Sequence, residues 1–265
     1  MNLTGDLKDL IGEKLDYAIV SKRRETVEIT DSEFDIVVKR KWVDKISIDF
    51  FTLTWAIKRG KGIIFTWLWE NKRELFHENS LNLAAKYGRL EMAKFLSENG
   101  FKPGFKGVNW ACEGGYLEVV KFLYTIAPEK FEFNGLCEAT RNGHHHIVKW
   151  FHQELPHLFT PTIMNVAAEN GHLELIRWLH ENRPEGCTTS AINSAALSGH
   201  LHVIEWLLKN RTEGYTDWAI RFAVMSGKMS ILKLLAEKKD YPEAIEMAQN
   251  RGRTDMVEFL RKLKN

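Results

Sequence analysis

Cysteine is scarce in this sequence of 265 residues: Cys112, Cys137 and Cys187 are the only three. They are too few and too scattered for a disulfide framework or a structural zinc site, and an odd thiol would stay unpaired in an oxidising compartment. No run of about 18 apolar residues exists, so no membrane span is predicted. The stretch after Met1 (MNLTGDLKDLIGEKLDY) has no uninterrupted apolar core behind a basic start, which predicts no secretory signal. Charge of either sign is nearly cancelled: 37 basic side chains face 35 acidic ones, a formal net of +2. That balance argues against a polyanion binder driven by counterion release, while leaving room for a local basic patch. Neither a glycine-rich phosphate loop nor a nucleophile elbow occurs, and no paired carboxylates stand in a special context. The absences describe a non-enzymatic intracellular protein, cytoplasmic or nuclear, with no cofactor, no bound metal and no nucleic-acid or membrane partner.

What is present is a repeat. Hydrophobic residues make up 44% of the chain, enough for a sizeable core, and they recur in fixed columns. A glycine returns at Gly60, Gly88, Gly115, Gly143, Gly171, Gly199, Gly227 and Gly252, mostly 28 residues apart. Four residues before each stands alanine: Ala56, Ala84, Ala111, Ala139, Ala167, Ala195, Ala223 and Ala248. Four, five and eight residues after it the chain is apolar, as in Leu175, Ile176 and Leu179. The seventh column is mostly aromatic (Trp67, Phe95, Phe122, Trp150, Trp178, Trp206) and the sixth mostly charged, as in Lys94, Lys121 and Arg177.

Apolar residues at that spacing form one face of a helix. Alanine permits close helix–helix approach, and glycine permits the positive φ that ends a helix. Each unit therefore reads as helix, tight turn, helix, loop. It cannot bury its apolar face alone, so the units must stack. Helical spacing makes the aromatic column core material rather than a base-stacking platform, and on that reading Trp178→Ala should cost ~3–5 kcal/mol.

The stretches AAENGHLELIRWLHEN (Ala167 to Asn182), AALSGHLHVIEWLLKN (Ala195 to Asn210), LAAKYGRLEMAKFL (Leu83 to Leu96) and CEGGYLEVVKFL (Cys112 to Leu123) resemble the ankyrin repeat. The resemblance covers roughly residues 50 to 263 and implies an all-α ankyrin-repeat solenoid of about eight stacked helix-turn-helix units with short loops. The usual period is about 33 residues with a projecting β-turn. Here it is 28, which predicts blunt connections such as Asn182 to Cys187 in place of hairpin fingers. Units this short resemble arrays of large DNA viruses and amoeboid microbes. The family's T-P-L-H signature survives only at Thr160-Pro161, and its histidine position holds Asn82, Asn109, Asn165 and Asn193. Those asparagines are expected to bridge neighbouring repeats, since an amide both donates and accepts.

The resemblance implies a monomeric scaffold for a protein partner, met on the concave face at the end of the first helix of each unit. The candidate residues there are Lys58, Arg59, Lys86, Tyr87, Glu113, Arg141, Asn142, Glu169, Asn170, Leu197, Ser198, Met225 and Ser226. They are cationic in the first half and more apolar in the second. His144-His145-His146 invites a metal reading, but consecutive residues entering a helix diverge and no acidic or cysteine cluster completes the set. Residues 1–48 lie outside the repeat register, with residues 49–265 forming the array. The basic clusters Lys22-Arg23-Arg24 and Lys39-Arg40-Lys41 in that leading segment read as solvated surface. An alternative reading makes residues 1–48 the docking segment of a substrate-recruiting adaptor for a larger complex such as a ubiquitin ligase.

Overall fold

Among the described residues, each of the eight repeat glycines stands at the turn between two helices of a pair. The computed structural model describes residues 50–237 and 240–264. The boundary near residue 48, the two basic clusters and the adaptor segment therefore lie outside the described residues. The chain divides into two compact units, Met1–Phe131 and Glu132–Asn265. In the first, three repeats are built from α1 (Phe50–Arg59) and α2 (Gly62–Asn71), α3 (Ser80–Lys86) and α4 (Leu90–Glu98), and α5 (Phe105–Glu113) and α6 (Leu117–Ile126). In the second, five repeats comprise α7 (Phe133–Arg141) and α8 (His145–Glu154), α9 (Pro161–Glu169) and α10 (Leu173–Asn182), α11 (Ser190–Ser198) and α12 (Leu201–Asn210), α13 (Asp217–Ser226) and α14 (Met229–Leu235), and α15 (Pro242–Asn250) and α16 (Thr254–Lys264). No strand occurs among the described residues, and three connections carry a single 3-10 turn at Arg73–Leu75, Pro128–Lys130 and Pro156–Leu158. Five residues fewer than a full period leave blunt connections and no hairpin.

The alanine and glycine columns act together. Every repeat glycine has φ between 66° and 88°. The residue after it then donates its N–H to the carbonyl of the column alanine, from Lys61 to Ala56 at 2.8 Å through Arg253 to Ala248 at 2.9 Å. This bond from one residue past the glycine to the carbonyl five residues back closes the helix end and satisfies a carbonyl that helix geometry leaves orphaned. All eight alanines have no solvent exposure. Within each unit the first helices run against one another (α1 on α3 on α5; α7 on α9 on α11 on α13 on α15), and only a methyl group fits between backbones so close.

The columns four, five and eight residues after the glycine form the core: Leu175, Ile176 and Leu179 are at most 2% exposed, as are Ile147, Val148 and Phe151. The aromatic column corrects the sequence reading. Trp150 is buried, but Trp67, Phe95, Phe122, Trp178 and Trp206 are only half-buried and Leu234 is exposed. At 100° per residue the seventh position lies at the edge of the stripe centred on the fourth and eighth. There the rings close the seam between successive second helices. Trp178 stands edge-on to His152, with centroids 5.3 Å apart, and Trp206 stands likewise on His180. The cost expected for Trp178→Ala falls accordingly.

The asparagine ladder is present at three of its four expected positions, Asn82, Asn165 and Asn193. Asn165 Nδ2 donates to Thr188 Oγ1 at 2.9 Å while the Thr188 N–H donates to Asn165 Oδ1 at 3.0 Å. Asn193 and Thr216 repeat the pair at 2.9 and 3.2 Å. In the amino-terminal unit, the Gly104 N–H donates to Asn82 Oδ1 at 2.8 Å. Each amide thus ties a first helix to the loop that opens the next repeat. Thr188 Oγ1 also accepts the Ser190 N–H at 3.2 Å, so the hydroxyl that opens α11 is that of Thr188.

Candidate interaction surface

The candidate residues all fall on the last turn of a first helix or just past it: Lys58 and Arg59 on α1, Lys86 and Tyr87 at the end of α3, Glu113 on α5, Arg141 and Asn142 at the end of α7, Glu169 and Asn170 at the end of α9, Leu197 and Ser198 on α11, and Met225 and Ser226 on α13. The chain turns there by the same mechanism in every repeat, so the positions are rigid while their side chains are free to differ.

In several repeats the side chain one residue after the glycine reinforces the turn. Arg89 Nε and Nη2 donate to the carbonyls of Ile57 and Lys58 at 3.2 and 2.6 Å. His172 Nε2 donates to the Arg141 carbonyl at 2.8 Å, and Arg253 Nη1 donates to the Val224 carbonyl. Donors therefore sit at helix C-termini, where the macrodipole favours them. They also lie over the preceding glycine: a Cβ on Gly171 would come within 2.7 Å of the His200 ring. Sequence reasoning missed this row because its members (Arg, Tyr, His, Lys) share no residue type, only a position.

Several candidates are engaged internally. Asn142 and Asn170 donate their amides to the carbonyls of Glu138 and Val166 at 2.9 Å. Ser226 Oγ donates within 2.8 Å of Phe222 O and 3.1 Å of Ala196 O. Arg141 pairs with Glu138 at 2.5 Å, a bond that raises the guanidinium's already high pKa. These four are parts of the frame as much as of its surface.

The amino-terminal unit is different. Lys58, Arg59 and Lys86 are exposed. Lys58 Nζ lies 5.9 Å from the centroid of Tyr87, and Lys86 Nζ lies 5.8 Å from the same ring and 4.7 Å from that of Trp110. Trp110 was absent from the sequence-derived set. It stands five residues before its glycine, a column that also holds Trp55 and Phe222; all three are half-buried. In the carboxy-terminal unit that column extends an apolar strip. Trp218 is 51% exposed and Leu197 41%, the Trp218 and Phe222 rings lie 5.5 Å apart, and Arg221 covers the Trp218 ring at 4.7 Å. Trp218, Phe222 and Met225 share one face of α13 by their spacing of four and three residues. These aromatics lie one to two turns upstream of the last-turn positions, at places whose helical spacing does not mark them as surface.

Two loops carry a second repeated device. Arg183 Nη2 pairs with Glu185 at 2.5 Å and donates to the Pro156 carbonyl at 2.8 Å, while Nη1 donates to His152 Nδ1 at 3.3 Å. Arg211, 28 residues on, pairs with Glu213 and donates to His180 Nδ1 at 3.2 Å. Glu213 also accepts the Cys187 N–H at 3.3 Å. The Arg211 bond holds the Glu213 carboxyl at about 2, below its ordinary 4.5. A depressed carboxyl pKa contributes stability that is complete above about 4.5 and is lost as pH falls toward about 2. The thermal midpoint of the parent should therefore drop more steeply through that acid window than that of Glu213→Gln, measured side by side by circular dichroism. Parallel curves would refute the assignment.

The chemistry-bearing groups do not converge. All three thiols are buried, and burial pushes those of Cys137 and Cys187 up to about 11, which suppresses the nucleophilic thiolate. The rings of His144 and His146 are 5.9 Å apart, and burial lowers the pKa of His145. Among the described residues no three His, Cys, Asp or Glu side chains are placed to hold a metal, and no helix is long and apolar enough to cross a membrane.

Comparison with known families matches residues 108–183 to a model of ankyrin repeats in three copies and residues 165–208 to one of ankyrin repeats in many copies. The matched stretch holds the repeats anchored at Gly115, Gly143, Gly171 and Gly199. No curated protein matches the chain.

Proposed function

The chain is an ankyrin repeat protein, and we propose that it is a non-catalytic scaffold that binds a protein partner through the ends of its first helices. Ankyrin repeats are generally protein–protein interaction modules. The observation that carries the reading is the contrast along each first helix. The alanine is fully buried in all eight repeats, yet two to three residues later stand exposed side chains the fold does not need, such as Lys58, Arg59, Lys86 and Leu197. A turn locked by the glycine and the bond to the alanine carbonyl presents them with little entropy left to lose on binding. The buried thiols and scattered histidines supply no reacting group. We read the protein as an intracellular monomer.

Affinity capture with the full-length chain tests the reading. Reversing Lys58, Arg59 and Lys86 to glutamate should reduce recovery of a specific partner by an order of magnitude or more, since these charges govern encounter and register. A partner retained in full by that variant would move the binding face elsewhere, and failure to capture any protein would sink the scaffold reading.

A further inference from the structure

We infer that the first-helix face of the amino-terminal unit is a docking surface for an acidic, extended peptide segment, a deepening that rests on the scaffold reading above. The argument begins with how charge is sorted. The first helices α1, α3 and α5 carry four basic residues (Lys58, Arg59, Lys86, Lys106) and one acidic residue, Glu113. The second helices α2, α4 and α6 carry the reverse, two lysines against four glutamates. Both of those lysines are neutralised in place, Lys94 by Glu91 at 2.9 Å and Lys121 by Glu118 at 3.1 Å. Among the described residues no carboxylate lies within ion-pair distance of Lys58, Arg59 or Lys86. Among the described residues, the first-helix side of this unit therefore carries three cations with no paired carboxylate, and the second-helix side is net acidic. Stability does not ask for that segregation, because like charges on one face repel.

The cations are also placed. Lys58 and Lys86 both rest within 6 Å of the Tyr87 ring, and Lys86 lies over Trp110 as well. Ammonium groups held against ring faces are attracted by the ring quadrupole, so the row is preorganised rather than splayed. A lysine ammonium carries three donors and accepts no hydrogen bond. The complementary ligand is a string of carboxylates. An extended chain presents alternate side chains on one side, about 6.5 Å apart, and so offers a row of carboxylates to a row of ammonium groups.

A nucleic acid fits less well. Single strands are held by stacking bases on open aromatic faces, and here lysine ammonium groups lie against the Tyr87 and Trp110 rings. Glu113, at the end of the row, would meet a phosphate unfavourably, whereas a peptide can present a neutral or basic side chain there.

The test uses the full-length chain and fluorescence anisotropy of labelled oligo-glutamate, oligo-lysine and oligo-thymidylate. Oligo-glutamate should bind saturably, weaken with added salt as exposed charge pairs do, and outcompete both other probes. The double variant Lys58→Gln, Lys86→Gln should weaken it by on the order of tenfold with an unchanged thermal midpoint, and Lys94→Gln, Lys121→Gln should leave it intact. Oligo-glutamate binding no tighter than oligo-lysine, or binding indifferent to the Lys58 and Lys86 changes, overturns the proposal. Tighter binding of oligo-thymidylate overturns it in favour of a nucleic-acid surface. A captured protein partner whose binding ignores Lys58 and Lys86 would overturn the acidic-peptide assignment and leave the scaffold reading standing.

Discussion

Replacing Phe151 by alanine is expected to destabilise the protein by ~3–5 kcal/mol, the largest single effect of any core truncation here. Phe151 has no exposure and heads the largest fully buried side chains. It occupies the column eight residues past the glycine that leucine fills in the other seven repeats, so the surrounding second helices cannot collapse onto an alanine without shifting. Trp178 is the informative contrast. It has more ring surface, but it is half-buried, with His152 edge-on to its ring and the Lys149 ammonium 5.8 Å from its centroid. Since stabilisation follows the apolar area removed from water, Trp178→Ala should cost roughly half as much as Phe151→Ala. Denaturant unfolding of both variants under matched conditions decides the point. Equal losses would mean that the seam is as much core as the stripe behind it.

The second large effect is expected from enlarging the alanine column. Ala195 has no exposure, and α11 is packed on both sides, by α9 and α13. Ala195→Leu would drive three extra carbons between backbones held at methyl distance, and overpacking of this kind costs about 1–3 kcal/mol or more. The penalty extends past α11, because the Ala195 carbonyl accepts the N–H of Gly199 at 2.8 Å and of His200 at 2.9 Å. Any displacement therefore loosens the turn as well. Ser198→Leu, three residues further on the same helix and exposed, should change stability by no more than about 0.5 kcal/mol. Similar unfolding midpoints for the two variants would show that the alanines are not contact-limited.

Much of this is legible in the sequence. Eight glycines at a near-constant interval, each with alanine four residues before and apolar residues four, five and eight after, specify the helix pair, its turn and its core face, because positive φ and close packing each admit few residue types. The asparagines at 82, 165 and 193 were legible for a related reason: an amide recurring at one register needs both a donor and an acceptor partner. Their mates were less so, since Thr188 and Thr216 offer a hydroxyl and an N–H where Gly104 offers its backbone N–H alone.

The aromatic column was misjudged because helical spacing gives direction, not depth. Trp178 points toward the stack, but whether a ring at the margin is covered depends on how far apart the second helices stand. The candidate surface was half legible. The last-turn positions could be read as those the repeat leaves variable. The ring beneath Lys86, the aromatics upstream on α13 and the internal bonds of Asn142, Asn170 and Ser226 could not.

By itself, then, the sequence determined what is repeated: the period, the turn, the buried columns and the sorting of basic residues into the first helices of the amino-terminal unit. Tertiary structure alone decided which of those residues meet, placing two lysines from successive repeats on one tyrosine ring and pairing Arg183 and Arg211 with histidines 31 residues earlier. The physical reason is the same throughout. Backbone conformation and burial are constraints on single positions and leave a trace in residue type, whereas contacts between neighbouring repeats are constraints on distance, and many residue pairs satisfy a distance.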